Sequence, residues 1–309
     1  MVERYVKAGT LKEASDLLEM CRGRARVIAG GTDLVLDLKS GKYEADCLVD
    51  ISGIEELKTI ESRDGKLVIG AGVTHNEAAF SPVIRTRAAA LRKASSMVGS
   101  NQIRNVSTLA GNVVSAQPAA DSAVALVALG ASARIVTGGE AQEILVEDLY
   151  EGVGKSRVDG TRSILTHFMI PDAGQLEGSA YVRLQQRKAL ALPMLCTAVW
   201  VRLARKEENS QEDRIEAVRI VMAPVGTRPV RALEAEKWLM GRQLDPAHEN
   251  EICKEAGRLA LTEANPRDSQ VRGSKEYRLS VLPELVEEAL LDAVKNARER
   301  GKEEGDERS

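Results

Sequence analysis

Residues 98–112, VGSNQIRNVSTLAGN, follow neither the 3.6-residue period of an amphipathic helix nor the alternation of a strand. They hold polar, donor-rich side chains between Gly99 and Gly111, in the first half of the chain. A stretch of this length without a period is either disordered or committed to a site. Apolar sequence on both flanks argues for a site, so the fold has to wrap this segment around something. Thr108, Gly111 and Asn112 offer donors suited to an anion or a polar ring edge. Asp121 stands before an apolar helix read over residues 123–129, where its carboxylate either accepts hydroxyls such as those of a ribose or caps the helix.

A second glycine segment lies upstream. Ala29-Gly30-Gly31-Thr32-Asp33-Leu34 joins a short strand, residues 25–29, to a helical stretch, residues 33–40. Glycine lets the backbone turn sharply with no Cβ in the way of a guest. Successive N–H groups of such a turn converge on an anion, and the following helix adds its dipole. Thr32 adds a hydroxyl, Asp33 is placed to cap the helix, and a diphosphate is the natural guest. Alone, the motif reads equally as a capped strand-to-helix connection. It is neither the GxGxxG fingerprint nor a P-loop, because the lysine is missing.

Around these segments the pattern is mixed. Residues 10–21 read as an amphipathic helix, with Leu11, Ala14, Leu17 and Leu18 on one face. Residues 47–51 read as a strand. Residues 57–61 and 66–70 read as a hairpin, turned by Asp64-Gly65. Helices are expected over 76–79 and 83–94, and strands over 133–137 and 164–170. Asp172-Ala173-Gly174 marks a boundary. Beyond it, residues 179–187, 197–205 and 215–222 read as three strands, with a hairpin connection over 205–214. Helices follow over 232–240, 249–263 and 283–299. The fold class is α+β, with a three-stranded antiparallel sheet and helices in the C-terminal domain.

Composition narrows the function. The formal net charge of -3 and nine aromatic residues give no footprint for nucleic acid. No window is long and apolar enough to predict a membrane span, and no secretory signal is read at the start, so a cytoplasmic protein is expected. Cys21, Cys47, Cys196 and Cys253 form no CxxC pair, so a zinc or iron–sulfur site carried by this chain is not expected.

AGGTDL together with QIRNVSTLAGNVVSAQPAADSAVALVALGA resembles the FAD-binding subunits of molybdenum hydroxylases, a family that includes xanthine dehydrogenase and the medium subunit of aerobic carbon monoxide dehydrogenase. IEELKTIESRDGKLVIGAGVTHNE, Tyr181-Val182-Arg183 and RGSKEYR agree in the family's order over roughly residues 1–285. The resemblance implies a two-part FAD-binding domain of the vanillyl-alcohol-oxidase-like (PCMH) type over residues 1–173, divided into 1–55 and 56–173. A C-terminal α+β domain over 178–285 and a charged helical tail over 286–309 would follow. It implies that Val27, Ile28, Ala29, Gly30, Gly31, Thr32, Asp33 and Leu34 form one flavin-nucleotide loop. Thr108, Leu109, Ala110, Gly111 and Asn112 form the other, and Asp121 serves the ribose side. Leu165 matches a position that meets the flavin ring, and Arg183 a basic contact of purine-oxidising members.

The implied activity is divided among subunits. A molybdopterin-binding large subunit hydroxylates the substrate, a [2Fe-2S] small subunit relays electrons, and FAD here passes them to NAD+ or another acceptor, in a dimer of heterotrimers. A xanthine dehydrogenase-type complex is the default. The alternatives are a carbon monoxide, aldehyde or aromatic-heterocycle dehydrogenase, a stand-alone flavin oxidase, or a nucleotide-binding module without redox function. Ala110 stands where the family often has glycine, Asn101 replaces a proline, and Val106-Ser107 replaces Arg-Gly. His75, His167 and His248 match no covalent-flavin position, so non-covalent FAD is expected and no catalytic or metal-binding residue is assigned.

Overall fold

The computed structural model describes residues 2–187, 190–205, 213–245 and 247–306. The chain opens with β1 (Arg4–Lys7), α1 (Leu11–Met20), β2 (Ala25–Ile28), α2 (Leu34–Lys39) and β3 (Cys47–Asp50). β1 and β2 both pair parallel to the central β3. Thr10 caps α1 by accepting from the Glu13 N–H at 3.1 Å. Ala14 and Leu18 of α1 are buried in a small core with Ala25, Val49, Ile54 and Leu57.

Next come β4 (Ile60–Arg63) and β5 (Lys66–Gly70), joined by Asp64 and Gly65 at φ of 55° and 71°, the positive values a two-residue hairpin turn requires. Helices α3 (His75–Phe80), α4 (Pro82–Arg87), α5 (Ala89–Ser96), α6 (Asn101–Arg104), α7 (Leu109–Val114) and α8 (Asp121–Ala128) follow. Strands β6 (Ser132–Thr137), β7 (Glu140–Leu145), β8 (Tyr150–Gly152), β9 (Lys155–Ser156) and β10 (Ser163–Pro171) complete the unit. Its antiparallel sheet has the order β4-β5-β10-β6-β7. Every residue of α8 is buried, which explains why its sequence shows no polar face.

The C-terminal unit holds β11 (Glu177–Leu184), β12 (Leu195–Arg205), β13 (Asp213–Ala223), β14 (Val230–Arg231), α9 (Leu233–Leu239), β15 (Gln243–Leu244), α10 (Glu249–Leu259) and α11 (Lys275–Asp306). Along β12, Cys196 and Ala198 face the core shared with α8, while Leu195, Val199, Val201 and Leu203 face the core shared with α11. Burial on both faces gives these strands their nearly continuous apolar sequence.

Several expectations need correction. Glu55–Lys58 is a 3-10 turn rather than the start of a strand, because buried Leu57 offers its carbonyl to the Gly72 N–H. The helix expected over 83–94 breaks at Ala88, whose φ and ψ of -144° and 58° are not helical. The expected loop over 98–112 contains two short helices, α6 and α7, each capped by a hydroxyl, from Ser100 and Thr108. The C-terminal sheet has five antiparallel strands rather than three, since β14 and β15 both pair with β13. The connection expected over 205–214 lies largely outside the described residues. Nor do residues from 286 onward begin a separate tail. α11 runs through that point and buries Val286, Leu290, Ala293, Val294 and Ala297 in the core.

Candidate functional site

A cleft of ≈ 790 Å³ opens between the two glycine segments, a size suited to a cofactor. One wall is the chain from Arg26 to Leu34. The opposite wall runs from Val98 to Asp121, the β8–β9 hairpin closes one side, and residues 190–193 reach in from the C-terminal unit.

The first wall is made of backbone. Strand β2 stops at Ile28, and Gly31 takes a φ of +67° before α2 begins. The first amide to bond back is that of Val35, to the Gly31 carbonyl at 3.0 Å. Among the described residues, the N–H groups of residues 29–34 find no acceptor, and all six residues line the cleft. Successive open amides at a turn can form an anion nest. Gly30 is needed for a separate reason. A Cβ there would stand 1.9 Å from the Val106 carbonyl oxygen, so the two walls meet backbone to backbone. Asp33 sits at the cap position but makes no capping bond. Burial by the surrounding protein and the Asp37 charge raise its carboxyl pKa, against a Ser115 hydrogen bond. Beside the nest, the Arg26 guanidinium lies 3.8 Å over the Tyr43 ring, and its Nε is buried without a partner.

Side chains and helix caps build the second wall. Thr108 Oγ1 accepts from the Gly111 N–H at 3.0 Å, so that amide is occupied within the wall. The Thr108 N–H has no acceptor among the described residues. His75 is fully buried, and burial lowers its pKa to about 4, which keeps the ring neutral. Its Nδ1 lies 2.8 Å from Ser107 Oγ, and its Nε2 lies 3.3 Å from Ser122 Oγ. Ser122 Oγ donates to Asn112 Oδ1 at 2.5 Å.

Asp121 is the first residue of α8 and lines the cleft. Its Oδ1 accepts from Tyr181 at 2.5 Å and from Arg183 Nη1 at 2.8 Å. Burial raises the Asp121 pKa despite both donors, and burial followed by the Asp121 charge raises that of Tyr181. Arg183 also donates to the Met97 and Ala191 carbonyls, so one side chain ties α8 to two other segments at the cleft.

The structure therefore brings Val27, Ile28, Ala29, Gly30, Gly31, Thr32, Asp33 and Leu34 together with Thr108, Gly111, Asn112 and Asp121. It does not bring the other four to the cleft surface. Leu109 and Ala110 are buried inside α7, Leu165 lies in the core, and Arg183 sits behind the wall with its side chain 1% exposed. Sequence reasoning missed Arg26, Tyr43, Ser107, Ser115, the β8–β9 hairpin and residues 190–193. The two glycines flanking Val153 carried a signal for the hairpin; residues 190–193 carried none.

Residues 1–173 match the family model for the FAD binding domain in molybdopterin dehydrogenase. Residues 180–293 match that for the CO dehydrogenase flavoprotein C-terminal domain. The chain belongs to the FAD-binding medium subunits of the molybdenum hydroxylases. Among these subunits, the nicotinate dehydrogenase FAD-subunit of Eubacterium barkeri is 32% identical over 76% of this chain and 78% of its own length. A putative xanthine dehydrogenase FAD-binding subunit of Escherichia coli K12 is 27% identical over 94% and 95%. A chain of cyanide-inactivated Cu,Mo-CO dehydrogenase superposes with a TM-score of 0.84 at 25% identity, covering 96% of this chain and 99% of that one. In this family the molybdopterin and iron–sulfur groups reside on other subunits. Among the described residues, no cluster of histidine, cysteine and carboxylates could hold a metal, and no helix is long and apolar enough to cross a membrane.

Proposed function

We propose that this chain takes electrons from a [2Fe-2S] partner subunit and passes them to NAD+ in a xanthine dehydrogenase-type complex. The observation that carries the reading is the run of open amides over residues 29–34 beside the partnerless Arg26 Nε, which together suit a diphosphate. In this reading residues 27–34 hold the diphosphate, and Thr108 and Asn112 donate from the opposite wall. Asp121 accepts a ribose hydroxyl through the oxygen not used by Arg183. Arg183 acts through Asp121, and Leu165 supports the sheet beneath. Bound FAD supplies the two-electron chemistry, and the chain supplies position, donors and exclusion of water. The flavin is held without a covalent bond, since both ring nitrogens of His75, the histidine that lines the cleft, are engaged by serines.

The relatives named for xanthine and nicotinate favour an N-heteroaromatic substrate, bound on a molybdopterin-binding large subunit. The assembly proposed is a dimer of heterotrimers in the cytoplasm. Titrating the apoprotein with FAD tests the cleft: saturable quenching of flavin fluorescence at one equivalent is expected, and its absence overturns the reading. Anaerobic addition of NADH to the flavin-loaded chain tests the acceptor, by reversal. Bleaching of the flavin band supports NAD+, and an unchanged band removes it. Copurification with chains that carry molybdenum and iron tests the assembly.

A further inference from the structure

The segment RGSKEYR, residues 272–278, has no part in the cleft, yet it carries charge that the fold leaves unanswered. Residues 267–278 hold four positive and two negative side chains, a surplus of two positive charges. A tight turn sets them in place. Ser269 Oγ accepts from the Val271 and Arg272 N–H groups at 3.3 and 3.1 Å, and Gly273 takes a φ of +84°. Asp268 Oδ1 accepts from the Lys275 N–H at 2.8 Å, where α11 begins.

Arg278 is 3% exposed and donates to the Pro224 carbonyl at 3.0 Å and to the Arg267 carbonyl. Burial and then the Arg272 charge lower its pKa, against the Asp268 carboxylate. Arg272 is half-buried and its Nε is buried without a partner. Its guanidinium forms no hydrogen bond or ion pair among the described residues. Burial lowers its pKa, and the Arg267 charge acts the same way. The group that offsets them, the Cys196 thiol, is itself pushed up to about 12 by burial, so it stands there uncharged. Other inward-facing arginines of the same unit show what is missing. Arg183, Arg231 and Arg298 meet Asp121, Glu236 and Asp213 at 2.8, 2.6 and 2.7 Å. Arg219 lies 4.8 Å over the Trp200 ring. Arg272 has neither kind of partner, and a cation drawn partly out of water is costly until an anion meets it. The loop also borders the cleft. Gly273 packs on Met194, whose Cε lies 3.1 Å from the place a Cβ would take, and Met194 directly follows residues 190–193 of the cleft wall.

We propose that Arg272, flanked by Arg267 and Arg278, binds a phosphate group at the C-terminal lip of the cleft. A free phosphate dianion and the diphosphate of a dinucleotide both match the surplus of two charges, and the guanidinium fork suits phosphate oxygens. The site does not rest on the FAD reading; its link to a dinucleotide rests on the proposed NAD+ acceptor.

Thermal unfolding of the full chain with inorganic phosphate, set against chloride at equal ionic strength, tests the site. The first wall of the cleft also suits phosphate, so the deciding quantity is the difference between wild type and Arg272→Gln. At phosphate tenfold above its dissociation constant, about 3 °C of the wild-type rise in midpoint should vanish in the variant. Arg272→Lys, which keeps the charge but not the fork, should retain part of it. Without phosphate, Arg272→Gln is expected to melt no lower than wild type, since it removes an unanswered charge. Equal rises in the two chains overturn the proposal, as does a wild type that ignores phosphate. NADH identifies the source. If the phosphate is the dinucleotide's, Arg272→Gln raises the NADH concentration needed for half-maximal flavin reduction about tenfold, with flavin content unchanged. An unchanged concentration assigns the site to free phosphate. A flavin-loaded chain that NADH does not reduce removes the acceptor reading, while the unfolding result still decides the site.

Discussion

The two walls of the cleft present donors to the same space by different means. The wall over residues 29–34 uses bare backbone, held open by a glycine at positive φ, and its amides are satisfied by nothing else among the described residues. The wall over residues 98–121 uses capped helices, a neutral buried histidine, and a carboxylate pinned by Tyr181 and Arg183. The first wall depends on space and backbone conformation, so bulk harms it. The second depends on a buried polar network, so deletion of a partner harms it.

The largest effect is expected at Asp121. Replacing Asp121 by Ala leaves the Arg183 guanidinium buried without its counter-charge, and breaking such a pair typically costs about 3–5 kcal/mol. Urea unfolding measures it directly. A loss below about 1 kcal/mol would mean that the pair behaves as a surface contact, and the contrast between the walls would fail.

Acid is the next lever, and in the second wall it acts through His75. Burial holds the His75 pKa near 4, helped by the nearby Arg104 charge, against an ordinary value of 6.5. The folded state therefore binds fewer protons than the unfolded one between those values, and stability is lost as pH falls through that window. The full loss is on the order of 3 kcal/mol. Above pH 6.5 both states hold a neutral ring, and this group contributes nothing. Unfolding midpoints followed from neutral pH to about 4 should fall more steeply for the wild type than for His75→Gln. Parallel curves would remove His75 from the account.

At Gly30 the first wall responds in its own way. An Ala Cβ there meets the Val106 carbonyl oxygen at 1.9 Å, and backbone cannot rotate away as a flexible side chain can. Overpacking of this kind costs about 1–3 kcal/mol. The walls must part, so Gly30→Ala is expected to fold with a lowered midpoint and to lose FAD on gel filtration. Retained FAD would show that the walls are free to move independently.

Local patterns carried much of this into view from sequence. Asp64-Gly65 announced its hairpin because only a narrow set of residues accepts two successive positive φ angles. Gly30-Gly31 marked the turn between β2 and α2 for a related reason, since Gly31 takes a positive φ. The segment 98–112 was legible as a site but not as structure. Its helices are only four and six residues long, too short for a hydrophobic period, and Thr108, expected as a donor to the guest, caps α7 with its hydroxyl. Arg183 was expected as a basic FAD contact, whereas the structure buries it behind Asp121; that placement depends on β11 bringing Tyr181 and Arg183 to the first residue of α8, which no local pattern encodes. Residues 286–309 were expected as a charged helical tail because α11 buries only one stripe, against a sheet far away in sequence.

The smallest expected effects are the most discriminating. Thr108 and Asp33 both occupy the cap position of a six-residue helix at the cleft, one in each wall. Only Thr108 makes the capping bond; Asp33 makes none. Thr108→Ala is therefore expected to cost about 1 kcal/mol, the ordinary value of a cap. Asp33→Ala is expected to leave stability within about 0.5 kcal/mol of wild type. The order reverses for the cofactor. Removing the Asp33 carboxylate takes a negative charge from beside the open amides, so Asp33→Asn should bind FAD a few-fold more tightly, and the gain should shrink as salt is added. Thr108→Ala should bind it more weakly, because the turn that presents the Thr108 N–H loses its hold on Gly111. If the two positions instead respond alike in stability, the first wall has side-chain support after all, and the nest owes less to its glycines than the geometry at Gly31 implies.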